Sequence, residues 1–415
     1  MTSQASIAAV LLLTASGLLI NPVCAGPTLV GFASLPADSF ITGPTSGQFL
    51  SADPNGRTAP FVDRQPVQGF SALLAAGDGG FLGLSDNGFG AQTDSADALL
   101  FVHALQLDFR TESGGNGTVR VTSSTPLSDP NRLIGFPIVA ERTHYPNGSG
   151  DIPVAPAIAA GRLLTGADLD RESFRRDAEG NFWFGDEFGP FLVHTNAGFE
   201  IIGPAIPTPG VQAPQNPFLG TGAPNLPTSR GFEGMAMSPD GWTLYPMLEG
   251  TVDGDPAGTL RILKFDIRSR AYSDARWLYP LDPPGVAIGD FTQLNDTQFL
   301  VIERDKDQGA AARHKKVYLI DLTDLDANGR LRKTELVDLL AIADPFDLNR
   351  DGGSTFRFPF VTIESVLPID AHTLLIANDN NYPFSIGRGP DIDHNEFILV
   401  RIDQPLKLPV PLPPT

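Results

Sequence analysis

The sequence predicts an all-β fold, a β-propeller of about six blades with long loop insertions. Three observations predict it. Five segments repeat one pattern: an apolar stretch, a turn, and a second apolar stretch ending in acidic or amide residues. The 415 residues include 43 Gly, 37 Pro and 27 Phe, a composition too turn-rich for a helical bundle or coiled coil. Further apolar stretches follow most of the five segments, and the units lie about 60 to 100 residues apart, wider than the even spacing of sandwich strands.

The first element is N-terminal. Ile7 to Ile20 is an uncharged apolar run of signal-peptide length, and Val23-Cys24-Ala25 offers small residues for cleavage after Ala25. The run is shorter than the about 20 residues of a membrane span, and nothing later in the chain reaches that length, so export without a span is expected, to periplasm or medium. Cys24 is the sole cysteine, so the mature chain has no disulfide and no thiolate metal site.

The repeats follow. They run from Ser71 to Asp86, Glu172 to Glu187, Glu233 to Glu249, Asp290 to Asp305 and Glu364 to Asp379, with end-to-end offsets of 15, 15, 16, 15 and 15. The longer member contains Ser238-Pro239-Asp240-Gly241, so its extra residue falls in the turn. Short flanks rich in β-branched and aromatic residues, joined by Gly, Asp and Asn, read as β-hairpins. Additional strands are expected over Leu100 to Phe109, Leu260 to Ile267, Val317 to Leu322 and Phe397 to Ile402. The interval from Ser71 to Glu172 has room for one further blade. Gly198 to Thr228, rich in Pro and Gly, reads as a surface insertion. Residues 26–403 are expected to form one propeller domain, and 404–415 an extended Pro-rich tail.

Charge narrows the function. Acidic residues number 48 against 29 basic ones, a net charge of −19, so nucleic acid is a poor partner and anionic lipid is repelled. In a hairpin the first residue of one strand and the last of the next lie at the same end, so the acids at both ends of each repeat are expected to meet at one rim. The expected ring comprises Asp86, Asp186, Glu187, Glu233, Glu249, Asp290, Glu303, Asp305, Glu364 and Asp379, with the amides Asn87, Asn378 and Asn380. So many converging carboxylates would resist ionisation unless cations neutralise them. Oxygen-only ligands point to Ca2+, more than one ion, with Mg2+ or Mn2+ as the next choices. The competing reading makes each acid a solvated turn cap.

A resemblance enters with these residues. Gly231 to Gly241 (GFEGMAMSPDG), Leu294 to Asp305 (LNDTQFLVIERD), Ile376 to Asn381 (IANDNN), Ser85-Asp86-Asn87-Gly88 and Gly185 to Gly189 (GDEFG) resemble the phytase-like family described as having esterase-like activity. The likeness extends from about residue 66 to 403 in preserved order. It implies a secreted propeller with repeated Glu and Asp residues that hydrolyses phosphate esters.

A separate pattern, Asp324, Asp326, Asn328, Gly329 and Glu335, meets the calcium-loop spacing, although a strand rather than a helix enters it. It reads as a structural calcium loop. A second version, Asp347, Asn349, Asp351 and Gly352, has Phe358 at its last ligand position and reads as a turn. No G-x-S-x-G, H-E-x-x-H or G-K-[ST] signature is present.

The sequence therefore points to a monomeric, metal-dependent phosphate ester hydrolase acting on a small-molecule substrate. Glu187, Glu233, Glu303, Asp305 and Glu364 are the expected ligands, one of them free as base, and Arg304 the expected phosphate-binding cation, with Arg142 and Arg388 behind it. A calcium-dependent propeller lactonase or carboxylic esterase, and a non-catalytic extracellular propeller braced by calcium, are the alternatives.

Overall fold

The computed structural model describes residues 26–50, 54–77, 79–146, 151–282 and 285–409. The signal-peptide segment 1–25 and the end of the tail lie outside them. Strand β1 (Thr28–Leu35) opens the chain. The first blade is β2 (Phe70–Ala75), β3 (Phe81–Ser85), β4 (Phe101–Asp108) and β5 (Thr118–Pro126). The second is β6 (Arg171–Arg176), β7 (Phe182–Asp186), β8 (Phe191–Thr195) and the short β9 (Ile206–Pro207). The third is β10 (Phe232–Met237), β11 (Thr243–Leu248), β12 (Thr259–Asp266) and β13 (Ala271–Pro280). The fourth is β14 (Ala287–Gln293), β15 (Gln298–Arg304), β16 (Lys315–Leu325) and β17 (Leu331–Asp338). In the fifth, β18 (Thr362–Asp370), β19 (Thr373–Asp379) and β20 (Asn395–Arg401) are joined by β1 as antiparallel outer strand, from Thr28 opposite Arg401 to Leu35 opposite Asn395 with one bulge between Leu29 and Gly31.

The inner strands pack in a closed circuit, β2 to β6 to β10 to β14 to β18 and back to β2. Pairing the first strand with the last hairpin closes the ring with main-chain hydrogen bonds and removes an exposed sheet edge. The described residues contain five such four-stranded units, one fewer than the spacing suggested. The interval between Ser71 and Glu172 holds β4, β5 and a long connection bearing the short helix α1 (Pro156–Gly161) instead of a further blade. Within the Pro- and Gly-rich 198–228 stretch, Ile206–Pro207 serves as the outer strand of the second blade, and Val211, Ala213 and Leu226 are buried. In the tail, Leu406 is buried and its N–H donates to Ala371 O at 2.8 Å.

Each interface between neighbouring blades has its own apolar core. Ala72, Leu84, Phe174 and Phe184 fill the first, Trp183, Phe232 and Leu244 the second, and Ile262, Phe291 and Phe299 the third. Ile302, Val317 and Ile376 fill the fourth, and Phe70, Leu105 and Phe397 the fifth. Each buried Phe or Leu contributes about 1.5 to 3 kcal/mol relative to exposure, so the circuit is stabilised at every joint. The strand order also sorts the loops. Hairpin turns such as Asp177–Asn181 and Ser238–Trp242 lie at one end of the ring. The long connections between blades, and those from each second strand to its third, gather at the other end, where the acids stand.

Candidate metal centre

Every inner strand carries a β-bulge near its start, after the first paired residue in blades one to three and after the second in blades four and five. The inserted residue is Ser71, Glu172, Glu233, Gly289 and Glu364 in blades one to five. A bulge adds one residue to one side of the ladder and re-aims its side chain, which here directs three glutamates toward the ring axis. Gly289 has no alternative: a Cβ there would lie 2.0 Å from Ile363 O of the next blade. The sequence repeat had aligned Asp290 with these residues, one position too far along.

One residue beyond the ladder pair that flanks each bulge stands a second set: Asp86, Glu187, Glu249, Arg304 and Asp379. The first three are pinned by their backbone N–H groups to Gly69 O (3.1 Å), Asp170 O (2.8 Å) and Gly231 O (2.8 Å), and the last two pair in register with Ala287 and Thr362. Gly231 clears the way for its neighbour, since a Cβ there would meet the Glu187 backbone at 2.5 Å. The two sets, with Asp170, make a ring of eight carboxylates and one guanidinium. Glu187, Glu233, Glu249, Glu364, Asp170 and Asp379 are buried, while Asp86 and Glu172 are partly exposed.

Two groups are close enough to share a cation: Asp170, Glu172 and Glu187, and Glu187, Glu233 and Glu249, each with ligand oxygens within 4.8 Å of one another. Glu187 belongs to both. Arg304 Nη2 lies 3.2 Å from Glu249 Oε1, 3.5 Å from Glu233 Oε1 and 3.6 Å from Glu364 Oε1. Arg230, at the mouth with its side chain 44% exposed, pairs through Nη1 with Glu249 Oε2.

Burial, and then the neighbouring carboxylates, push Asp86, Glu172, Glu187, Glu233 and Glu364 well above the usual carboxylate range. Burial raises Asp170 and Asp379 to about 6. For Arg304 burial alone would favour the neutral form, but Glu249, Glu233, Glu364 and Glu187 outweigh it and hold the guanidinium protonated. A divalent cation fits this donor set on an observation independent of charge: Asp170 Oδ1, Glu187 Oε1 and Glu364 Oε2 are buried oxygens that accept no hydrogen bond. Unpartnered buried carboxylate oxygens are costly, and all-oxygen donors suit Ca2+, Mg2+ or Mn2+.

The structure separates the remaining sequence candidates from this ring. Glu303, adjacent to Arg304, faces the opposite side of β15 because side chains alternate along a strand. It is fully buried in a closed network, accepting from Tyr279 Oη at 2.6 Å, from Lys333, and facing His314 Nε2 at 3.1 Å. Asp305 pairs with Lys315 at 3.0 Å and accepts from the Arg313 and His314 N–H groups at 2.7 Å, holding a loop. Asp186 accepts from Asp170 N at 2.9 Å and Gly189 N at 2.8 Å, fixing the backbone beneath the ring, and burial raises it to about 7. Asp290 binds Arg175 at 3.4 Å and Val366 N at 2.8 Å, tying three blades together lower down. Asn378 donates to His394 O at 3.1 Å and Asn380 accepts from Gly69 N at 3.3 Å, while Asn87 donates to Gly90 O at 3.1 Å and also hydrogen-bonds the carboxylate of a ring member, Asp170. Arg388 is engaged by Glu396 at 2.6 Å and Arg357 O at 2.8 Å, and Arg142 lines a separate cavity of about 210 Å³ with Asp168.

The calcium-loop pattern is a β-hairpin turn between β16 and β17. Asp326 accepts from Asn328 N at 2.8 Å and Arg330 N at 2.9 Å, while Asp324 pairs with Arg332 at 3.2 Å. Glu335 sits opposite Tyr318, four residues up the strand from Leu331, or roughly 13 Å away at strand rise, and pairs with Lys316 at 2.6 Å. The extended exit strand β17 carries Glu335 away from the other three. Asp347 accepts from Gly352 N at 3.0 Å, and that segment is a turn as expected.

Sequence reasoning missed Asp170, Glu172, Arg230 and Arg171 at the ring. Glu172 carried a readable signal, since it begins the repeat that ends in Glu187. The other three lie outside the repeat pattern.

A family model described as "Phytase-like: Esterase-like activity of phytase" matches residues 65–382. An uncharacterised secreted protein of Arthroderma benhamiae is 27% identical over a match covering 43% of this chain and 41% of the relative, so the matched part spans less than half of that relative's length. Among solved structures, the chain is similar to a periplasmic gluconolactonase of Pseudomonas aeruginosa (13% identity, 92% and 98% of the two chains covered, TM-score 0.34). It is also similar to a luciferin-regenerating enzyme (12%, 81% and 80%, TM-score 0.34) and to the PQQ-bound aldose sugar dehydrogenase of Streptomyces coelicolor (11%, 91% and 100%, TM-score 0.32). Among the described residues no helix is long and apolar enough to cross a membrane.

Proposed function

Because the chain belongs to the phytase-like family described by esterase-like activity of phytase, we propose that it is a secreted or periplasmic hydrolase of phosphate esters whose axial ring of acids holds a divalent cation. The observation that carries this reading is the convergence of carboxylates from four blades on one mouth, with buried oxygens on Asp170, Glu187 and Glu364 left without partners. The candidate ligand groups are Asp170, Glu172 and Glu187, and Glu187, Glu233 and Glu249, with Glu187 common to both and Ca2+ first, Mg2+ or Mn2+ next. When bound, such an ion supplies Lewis acidity toward a phosphoryl oxygen and lowers the pKa of water.

The chain's own residues do the rest. Arg230, half exposed at the mouth, receives the anionic substrate and holds its oxygens by charge-assisted hydrogen bonds. Arg304, enclosed by three glutamates, offsets their charge rather than reaching outward. Glu364, with one free oxygen and a raised affinity for protons, is placed to take a proton from water. Neither Arg142 nor Arg388 stands at the ring, so neither is given a role in this reading.

The test is a panel of phosphomonoesters, phosphodiesters, lactones and aryl esters, run with and without chelator. Turnover of phosphoesters that is lost on chelation and restored by Ca2+ is the expected outcome. Turnover confined to lactones or aryl esters moves the chemistry to a carbonyl centre. Cation-dependent melting without any turnover makes the protein a binding propeller.

A further inference from the structure

The ring is electrostatically divided. On one side both oxygens of Glu249 are taken by guanidinium groups, Oε2 by Arg230 and Oε1 by Arg304 at 3.2 Å, and the same Arg304 nitrogen reaches Glu233 and Glu364. On the other side Asp170 Oδ1 and Glu187 Oε1 accept nothing, although their residues are only 3% and 5% exposed. Arg171, between Asp170 and Glu172 in the chain, donates to the carbonyl oxygens of Ser85 at 3.0 Å and Phe101 at 3.2 Å, acts on Asp86, Glu172 and Asp170 only through space, and makes no ion pair among the described residues. Its Nε and Nη1 have no partner.

The repeat explains how this division arose. Blades one, two, three and five place Asp86, Glu187, Glu249 and Asp379 at one equivalent position, and the fourth blade places Arg304 there. A guanidinium is charged at every accessible pH and occupies its place permanently, whereas a bound cation exchanges. Like charges at this range repel, so a second divalent ion cannot settle among Glu233, Glu249 and Glu364 while Arg304 remains.

We propose that Arg304 takes the place of one cation, so that the ring seats a single divalent ion on Asp170, Glu172 and Glu187 and excludes a second from Glu233, Glu249 and Glu364. This rests on the cation reading of the ring given above and corrects the expectation of several ions, which came from counting acids alone.

The experiment is titration of the full mature chain, stripped with chelator, with Ca2+ alone and Mn2+ alone, read by calorimetry and equilibrium dialysis. Wild type is expected to take one equivalent, and Asp170→Asn to lose about 100-fold in affinity. Arg304→Gln is expected to take two equivalents, and Arg304→Lys, which keeps the charge, one. An Arg304→Gln chain that still takes one equivalent with wild-type affinity overturns the assignment of Arg304 alone. A wild-type chain that takes none overturns the cation reading and this inference with it. If Arg304→Gln folds only when cations are present, its melting temperature must rise more on Ca2+ addition than that of Arg304→Lys. An equal rise counts against the proposal.

Discussion

Glu187 and Arg304 hold the same position in two blades of one repeat: each stands one residue past the pair that flanks the bulge, Arg171 with Asp186 in one case and Ile288 with Glu303 in the other. One carries the carboxylate common to both candidate cation groups, and the other carries the positive charge that joins three glutamates. Opposite charges at equivalent places make the ring asymmetric, and the predictions below separate the roles of its members from those of nearby residues.

Replacing Glu187 by Gln removes the shared ligand. Cation affinity is expected to fall by about 100-fold or more. In wild type, a cation at 100 times its Kd adds about 2.7 kcal/mol of stability, which chelator removes. Calorimetric melts with and without chelator should show that difference in wild type and almost none in Glu187→Gln. An undiminished difference in the variant would exclude Glu187 as a ligand.

Glu303 provides the contrast. Its carboxylate is enclosed by Tyr279, Lys333 and His314, and Lys333 is also held over the Tyr279 and Tyr318 rings at 4.9 and 4.7 Å. Glu303→Gln leaves a buried ammonium without its main partner and is expected to cost about 3 kcal/mol or more, read by urea unfolding. Ca2+ titration of the same variant should match wild type. Loss of cation binding with full stability would return Glu303 to the ring.

Gly289→Ala tests the close approach of the fourth and fifth blades. The added methyl would lie 2.0 Å from Ile363 O, so the inner strands must part. Overpacking of this kind is expected to cost about 3 kcal/mol. A variant as stable as wild type in denaturant melts would show that the two strands can separate freely.

Acid sensitivity should follow His103. The ring is fully buried, its Nδ1 lies 2.7 Å from Ser124 Oγ, and burial lowers its pKa to about 3. The unfolded chain titrates near 6.5, so below that pH it binds a proton that the fold refuses. Stability from the neutral imidazole is therefore present above about 6.5 and declines as pH falls toward 3, by up to about 1.4 kcal/mol per pH unit. Between pH 7 and 4.5 the stability gap between wild type and His103→Phe should shift in the variant's favour, and a gap independent of pH would contradict the buried neutral state.

Much of this protein was legible before folding. Repeats of constant length with turn residues at their centres define the hairpins, because strand propensity and turn chemistry act over a few residues. Acids at both hairpin ends point to one rim, since antiparallel strands return to the same end. Spacing could not say which of two adjacent residues faces the axis. Side chains alternate with a period of two, so Glu187 and Arg304 point inward while their neighbours Asp186 and Glu303 do not, and a single bulge shifts that alternation on each inner strand, so Gly289 rather than Asp290 stands in line with Glu233. The bulge is stabilised by contacts between blades, as at Gly289 against Ile363. Asp170 and Arg230 lie beyond the repeat altogether and reach the ring only because their loops are laid across its mouth, and the same closure into five blades decided which acid found a cationic partner in Arg304.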